Sequence, residues 1–230
     1  MSEPRIALVT GANKGIGREV VRQLAALGWR VFLGSRDPAA GEAAAGLIEG
    51  DVEALALDVN DLGSLSLAAR AVSASVDRLD VLINNAAILE KGDQSALTLS
   101  PEIARGTFET NVLGTLRATQ AFLPLLRKSA APRIVNVSSL AGQLTGDLQS
   151  WSPAYSVSKT ALNGLTQQFA ADLDGFAVNA VSPGWVRTDM GGAEAPLSVE
   201  EGAAGIVWLA VEAPQTLTGK FIKDRKVIEW

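Results

Sequence analysis

Short apolar segments that favour β-strands alternate with longer segments that favour helices along the whole chain. The apolar segments are continuous, as in strands that helices cover on both faces. Strict alternation of strand and helix requires right-handed crossovers and a parallel sheet. The sequence therefore predicts one α/β domain over residues 1–230, with a doubly wound parallel sheet of about seven strands and helices on both faces. The strand segments are RIALVT, RVFLGS, VEALALDV, LDVLINNA, PRIVNVSS, FAVNAVSPG and a short GKFI.

The segments between the strands predict the helices. Most of these connections contain a single helix, at residues 15–27, 38–50, 62–75, 154–173 and 199–211. The connection between the fourth and fifth strands is longer, and we expect two separate helices there, at 101–111 and 114–128.

The composition limits the chemistry that the chain can perform. It has no cysteine and no histidine, so we expect no disulfides and no metal site, and the most common general base is missing. Acid–base chemistry is left to Asp, Glu, Lys or Tyr.

The net charge of −5 argues against nucleic acid or an anionic membrane as the main partner. The apolar run Ile6–Val9 is too short for a signal peptide or a membrane span, and we expect a cytoplasmic protein.

In a sheet of this type, ligands bind outside the carboxyl ends of the strands. After the first strand, Gly11, Gly15 and Gly17 lead directly into a helix. Glycines let backbone N–H groups approach a pyrophosphate, and a helix N-terminus adds partial positive charge. The G-x-x-x-G-x-G spacing differs from the standard dinucleotide fingerprint and alone also fits a tight turn. Its position between a strand and a helix favours a phosphate loop.

The residues after the second strand bear on the choice between the two nicotinamide cofactors. An acid there binds the ribose 2′-hydroxyl, whereas an arginine accepts a 2′-phosphate. Asp37 directly precedes Pro38, which is typical of a helix cap. We therefore interpret Asp37 as a cap and Arg36 as the phosphate clamp, with Lys14 as a second positive charge. Asp58, after the third strand, either accepts a hydrogen bond from the adenine amino group or caps a turn.

Tyr155 is the only tyrosine, and it stands four residues before Lys159. Residues i and i+4 share a helix face, so a neighbouring ammonium is expected to favour the phenolate and to lower the tyrosine pKa from about 10. Ser139, after the fifth strand, is placed to hydrogen-bond a substrate oxygen. A phenol whose pKa is shifted toward working pH can act as a general acid or base. The structural alternative is a tyrosine that packs on the sheet beside a surface lysine.

The chain resembles the short-chain dehydrogenase/reductase family in a series of motifs that follow the family's order. They are TGANKGIG (10–17), DV (58–59), NNAA (84–87), Asn111 in TNVLG, Ser139 in VNVSSLAG, YSVSK (155–159) and SPGWVRTDMGG (182–192). NKGIG, PGWVRTDM and VIEW look most like the NADPH-dependent carbonyl reductases. The resemblance implies a Rossmann-type sheet, NADP(H) as cofactor, and hydride transfer between a small-molecule carbonyl and the corresponding alcohol.

The resemblance also implies roles for individual residues. The implied catalytic residues are Asn111, Ser139, Tyr155 and Lys159; Lys159 also binds the nicotinamide ribose, and Asn111 holds a water that links Lys159 to solvent. The implied cofactor contacts come from Gly11, Asn13, Lys14, Gly15, Ile16, Gly17, Arg36, Asp58, Val59, Asn85, Ala86, Tyr155, Lys159, Pro183, Gly184, Val186 and Thr188. Among these, Thr188 is expected to hydrogen-bond the nicotinamide carboxamide.

The chain departs from the family pattern at two places. Ala87 stands where the family usually has glycine, and its methyl group is expected to crowd the cofactor or to shift the backbone. The segment between Ser139 and Tyr155 is short and lacks the long insertion of monomeric carbonyl reductases. Pairing of 114–128 and 154–173 with a second copy, in a homodimer or homotetramer, therefore stays open.

The substrate side of the site is less defined by the sequence. Residues 187–198 contain two glycines and predict a lid over the substrate. Leu144, Trp151 and Trp185 either line that pocket or are ordinary packing residues. Two other functions fit the same motifs: a reductase of 3-ketoacyl groups on a carrier protein, and a non-catalytic sensor that binds NADP(H).

Overall fold

The computed structural model of the protein describes residues 4–145 and 151–230, and one sheet runs through them. Its strands are β1 (Ile6–Val9), β2 (Arg30–Ser35), β3 (Val52–Ala56), β4 (Val81–Asn84), β5 (Arg133–Val137), β6 (Ala177–Val181), β7 (Lys220–Lys223) and β8 (Lys226–Ile228). The helices are α1 (Gly15–Ala26), α2 (Pro38–Ala45), α3 (Leu62–Ser75), α4 (Pro101–Phe108), α5 (Thr115–Leu126), α6 (Pro153–Asp172) and α7 (Val199–Val211).

The strand order is β3-β2-β1-β4-β5-β6-β7-β8, and every neighbouring pair except β7–β8 is parallel. The prediction of a doubly wound α/β sheet is therefore confirmed. The chain moves outward in one direction from β1 to β3 and in the other direction from β4 onward. The crevice between β1 and β4 is the point at which the direction reverses, and this is where a ligand is expected in such a sheet.

Apolar residues of the sheet are buried on both faces. In β1, Ala7 and Val9 belong to a core cluster with α1 and α7, whereas Ile6 and Leu8 belong to a second cluster with α3 and α5. Successive residues of a strand point to opposite faces, so both faces of β1 are covered. This explains why the strands appear in the sequence as continuous apolar runs.

The prediction of about seven strands is one short, because β8 was not anticipated. Lys226–Ile228 folds back on β7 as an antiparallel strand. The two turn residues, Asp224 and Arg225, both have positive φ angles, of 49° and 60°, as a type I′ hairpin turn requires. Glycine and asparagine usually mark that turn, and a three-residue strand has no detectable periodicity.

The two helices predicted between β4 and β5 are one continuous helical segment. A π-helical turn, Glu109–Gly114, joins α4 to α5. Gly114 does not break the helix; a Cβ at this position would lie 2.7 Å from Cγ2 of Val59, so the glycine permits close packing. Helix α2 also ends earlier than predicted, at Ala45.

Candidate functional site

The glycine loop after β1 is held by residues that follow β4. The side-chain amide of Asn85 donates to the carbonyl oxygens of Thr10 and Gly11, at 2.9 Å each. Gly11 has φ +61°, and a Cβ there would lie 2.8 Å from the Cα of Ala86. A Cβ on Gly17 would lie 2.5 Å from the Asn85 amide nitrogen. The structure thus brings the predicted residues of the first and fourth strand ends together, and it leaves no space there for side chains in place of the glycines.

The N-terminus of α1 opens into this crevice with its backbone donors available. Lys14 occupies the cap position in an extended conformation, its side chain makes no capping hydrogen bond, and the first turn contains no acid. The first N–H groups of a helix have no partner within the helix. The loop of Asn13, Lys14, Gly15 and Ile16 therefore has the donors that an anionic group such as a pyrophosphate needs.

The interpretation of Asp37 as a helix cap is confirmed. Its carboxylate accepts a hydrogen bond from the backbone N–H of Ala40 at 3.2 Å, and Pro38 begins α2. Arg36 lies directly before it and is exposed. Asp58 also closes a turn, because its carboxylate accepts from the N–H of Asn60 at 2.9 Å.

Lys14 makes a contact that the sequence did not predict. Its ammonium lies 2.7 Å from a carboxylate oxygen of Asp189, and both side chains are exposed. The hydrogen bond and the charge of Lys14 lower the pKa of Asp189. The ion pair joins the glycine loop to the segment after β6, across the mouth of the crevice.

Ser139, Tyr155 and Lys159 converge at the carboxyl ends of β5 and β6. The Ser139 side chain lies close enough to the Tyr155 phenol to lower its pKa. The Lys159 ammonium lies 5.4 Å from the centroid of the Tyr155 ring and donates to the carbonyl oxygen of Val137 at 2.9 Å. Tyr155 is 8% exposed and Lys159 is 2% exposed. The alternative of a surface lysine beside a packing tyrosine is therefore wrong for Lys159, which is buried.

Burial shifts both ionisations against the charged forms. It raises the pKa of Tyr155 to about 12, and the Ser139 side chain opposes this shift. It lowers the pKa of Lys159 to about 7. The expectation that Lys159 lowers the tyrosine pKa is therefore wrong for the protein alone. Desolvation of the phenol outweighs the effect of an amine that lies against the ring and is itself partly neutral at pH 7.

Asn111 lies in the π-helical turn and connects two parts of the site. Its side chain accepts from the N–H of Ile88 at 2.8 Å and donates to the carbonyl oxygen of the same residue at 3.0 Å. It also donates to the hydroxyl of Ser158 at 3.0 Å, and that hydroxyl donates to the carbonyl oxygen of Tyr155 at 2.7 Å. Ser158 is a contact that no spacing in the sequence indicates.

The segment after β6 forms a closed loop beside the glycine loop. Val186 pairs with Leu197 in an isolated parallel bridge, and Arg187 donates to the carbonyl oxygens of Ala195 and Pro196 at 3.0 and 2.8 Å. A Cβ on Gly15 would lie 3.4 Å from the Thr188 methyl carbon, so Thr188 is adjacent to the glycine loop. Pro183 and Gly184 lead into this loop. Residues 187–198, for which the sequence predicts a lid, make up most of it.

The three apolar residues proposed for the substrate pocket are all exposed. Leu144, Trp151 and Trp185 are 79%, 52% and 57% exposed, so they are not core packing residues. The ring of Trp151 lies edge-on to that of Tyr155, with 5.8 Å between centroids. Residues 146–150, in the short segment before Trp151, lie outside the described residues.

Asp93 is a part of the site that the sequence analysis missed. It lies in the long connection after β4 and is 4% exposed. Its carboxylate accepts hydrogen bonds from the backbone N–H groups of Ala154 and Tyr155. An acid that caps a helix from a segment 61 residues away leaves no local pattern in the sequence.

No group of three or more acidic residues within residues 4–145 and 151–230 is arranged to hold a metal ion. Within the same ranges, none of the helices has the length and apolar character needed to cross a bilayer.

Comparisons with known proteins agree on one family. The family model described as short chain dehydrogenase matches residues 5–196. A (+)-neomenthol dehydrogenase of Arabidopsis thaliana is 35% identical over 99% of this chain and 98% of that protein. Carbonyl reductase [NADPH] 1 of Sus scrofa is 34% identical over 100% of this chain and 95% of that protein. The crystal structure of an NADPH-bound carbonyl reductase from chicken fatty liver superposes with a TM-score of 0.90, at 31% identity and with full coverage of both chains.

Proposed function

The chain belongs to the short-chain dehydrogenase family, and from that premise we propose that it is an NADPH-dependent carbonyl reductase in which Tyr155 donates the proton. The observation that supports this most directly is the convergence of the half-buried Ser139 with the buried Tyr155 and Lys159 in a protein without histidine. The substrate class is a small-molecule ketone, aldehyde or quinone.

The crevice has the features that NADP(H) requires. The close approach of Gly11 and Gly17 to the β4 end and the uncapped start of α1 suit a pyrophosphate. Arg36 is exposed at the end of β2, and the neighbouring acid, Asp37, is engaged as a helix cap, which favours a 2′-phosphate over a free 2′-hydroxyl. The proposed contacts are Gly11, Asn13, Lys14, Gly15, Ile16, Gly17, Arg36, Asp58, Val59, Asn85, Ala86, Tyr155, Lys159, Pro183, Gly184, Val186 and Thr188. When bound, NADPH supplies the hydride for the carbonyl carbon.

The protonation state of Tyr155 favours the reductive direction. A pKa of about 12 keeps the phenol protonated at neutral pH, and the protonated phenol is the form that can donate to a carbonyl oxygen. Ser139 hydrogen-bonds the same oxygen and orients the carbonyl group. The ammonium of Lys159 lies against the Tyr155 ring and can return a proton to the phenolate after the phenol has donated. Asn111 holds the π-helical turn next to this pair. Alcohol oxidation needs the phenolate, so its rate is expected to rise with pH.

The proposal is tested by following NADPH absorbance with ketones, aldehydes, quinones and a 3-ketoacyl thioester. We expect turnover with at least one small carbonyl class. Tyr155→Phe should still bind NADPH in calorimetry and lose about 10²–10⁴-fold in kcat, the usual contribution of a general acid. Turnover of the thioester alone would favour the carrier-protein reductase. NADPH binding without turnover of any carbonyl would favour the sensor.

The cofactor preference is tested separately by calorimetry with NADPH and NADH. Arg36→Ala should narrow the preference for NADPH by about 1–3 kcal/mol, the scale of a charge-assisted hydrogen bond. Arg70→Ala is the matched control, because Arg70 is an exposed arginine on α3. Equal binding of NADH and NADPH to the unmodified protein would contradict the role given to Arg36.

A further inference from the structure

The carboxylate of Asp93 is the structural cap of helix α6. One oxygen accepts from the N–H of Ala154 at 2.8 Å, and the other accepts from the N–H of Tyr155 at 2.9 Å. The side chain is buried, so these bonds replace the water that a carboxylate would otherwise bind. Hydrogen bonds to an ionised group are about twice as strong as neutral ones, and a negative charge is favoured at a helix N-terminus.

The local sequence cannot supply this cap. Ser152 occupies the cap position of α6, but it has φ 41° and ψ 67°, and its side chain makes no capping hydrogen bond. A serine usually caps from an extended conformation. Because Ser152 is in the left-handed region, the first N–H groups of α6 depend on an acceptor from outside the helix. Asp93 is that outside partner.

We infer that Asp93 is a positioning residue for Tyr155, and that it sets the place of the phenol by fixing the backbone N–H of the same residue. The inference rests on the proposed function only in that Tyr155 is the proton donor. Tyr155 lies in the first turn of its helix, where chain ends fray most easily. A cap bonded to residue 155 itself therefore restricts the position of its side chain directly.

The connection that contains Asp93 is also attached to the π-helical turn that carries Asn111. Ile88, five residues earlier, is held through both its N–H and its carbonyl group by Asn111 of the π-helical turn. The segment from Ile88 to Asp93 thus links the turn of Asn111 to the start of α6. Ser158 closes the same arrangement from within α6, by accepting from Asn111 and donating to the Tyr155 carbonyl. The backbone N–H of Tyr155 is therefore held by the side chain of Asp93, and its carbonyl oxygen by the side chain of Ser158.

The decisive variant is Asp93→Asn, which keeps the size of the side chain and removes one acceptor. An amide offers only one oxygen, so either Ala154 or Tyr155 loses its partner. We expect kcat to fall about ten- to a hundredfold, the scale of a small misplacement of a catalytic group. The Kd for NADPH should be unchanged. The nitration rate of the single tyrosine, followed by mass spectrometry, should rise severalfold, because the phenol is less well enclosed.

Asp61→Asn is the matched control. Asp61 caps α3 through the N–H groups of Gly63 and Ser64 and is not within the catalytic group. Both N–H groups bond the same oxygen of Asp61, which an amide retains, so this variant removes the charge of a helix cap and should leave kcat and tyrosine nitration unchanged. A double variant, Asp93→Asn with Tyr155→Phe, should have the same residual kcat as Tyr155→Phe alone, because Asp93 acts through the phenol.

Three results would overturn the inference. They are an unchanged kcat and nitration rate in folded Asp93→Asn, an equal loss in Asp61→Asn, and additive effects in the double variant. Failure of the proposed function is distinguishable, since it would appear as full turnover in Tyr155→Phe. Faster nitration in Asp93→Asn would then still report the positioning of the tyrosine.

Discussion

At the scale of single residues, burial has more influence on the chemistry of Tyr155 and Lys159 than their mutual spacing. The spacing of four residues places the Lys159 amine against the Tyr155 ring. The amine does not, however, present a full positive charge to the phenol. Burial instead keeps the phenol protonated and the amine partly neutral at pH 7. After the phenol has given its proton to the substrate, the protonated form of Lys159 can return a proton to the phenolate, and this transfer removes charge from the core.

The lowered pKa of Lys159 has a consequence for stability. In the unfolded chain, the amine binds its proton below about pH 10.4, whereas in the folded protein it does so below about pH 7. Between these values the unfolded state binds more protons, so the contribution to stability is lost as the pH falls from about 10 to about 7. The raised pKa of Tyr155 acts in the opposite sense and at higher pH, because its contribution is lost as the pH rises from about 10 towards about 12.

Lys159→Met should therefore remove a pH dependence between about pH 7 and about pH 9. In this range the free energy of unfolding of the unmodified protein should rise with pH by up to about 1.4 kcal/mol per unit more than that of the variant. The measurement is urea unfolding without cofactor, followed by tryptophan fluorescence. Lys220→Met, at an exposed lysine, is the control and should keep the original slope. Parallel curves for Lys159→Met and the unmodified protein would contradict the burial of a neutral amine.

At the scale of elements, the contact between the turn after β5 and helix α6 sets the distance from Ser139 to Tyr155. The carbonyl oxygen of Gly142 accepts from the side chains of Thr160 and Asn163, at 3.1 and 3.2 Å. A Cβ on Gly142 would lie 2.6 Å from the carbonyl carbon of Lys159 and 2.7 Å from the nitrogen of Thr160. These neighbours are backbone atoms, so the turn itself would have to move.

Gly142→Ala should therefore impair the site through its geometry. We expect a loss of about 1–3 kcal/mol in the free energy of unfolding, as in other overpacked cores, and a lower kcat because Ser139 moves away from Tyr155. Gly106→Ala is the control, because nothing lies within 4 Å of a Cβ at that helical position. It should keep full kcat and gain up to about 1 kcal/mol from helix propensity. Equal behaviour of the two variants in urea unfolding and in the assay would refute the close contact.

The sequence predicted those elements whose signal is local. The bounds of α3 and α7 agree with the prediction, because apolar periodicity and capping residues, including the box of Ser198 and Glu201, lie within the helix or beside it. The π-helical turn and the cap by Asp93 were missed because they depend on partners distant in the chain, such as Val59 beside Gly114, and periodicity does not report such contacts. The eighth strand pairs with its neighbour β7, but it is too short to show a period and its turn lacks glycine and asparagine.

At the scale of the whole molecule, the outer face of α6 combines an exposed apolar side chain with an open glycine. Val157 is an apolar side chain that is 55% exposed. Gly164 lies seven residues later, on the same helix face, and nothing lies within 4 Å of a Cβ built on it. A small residue beside an exposed apolar one permits a helix of another copy to approach closely, and a two-fold axis would bring the same face of each copy together.

We propose that the protein forms a homodimer or homotetramer through this face, and light scattering tests the proposal. The particle mass at micromolar concentration should be two or four times the 24.0 kDa of the chain. Gly164→Trp should reduce the mass without unfolding the protein, because the new side chain meets no neighbour within its own subunit. Gly106→Trp is the comparison variant, since its site is equally open but lies on the neighbouring helix α4, and it should keep the mass of the unmodified protein. A particle of 24.0 kDa for the unmodified protein would show that α6 faces solvent.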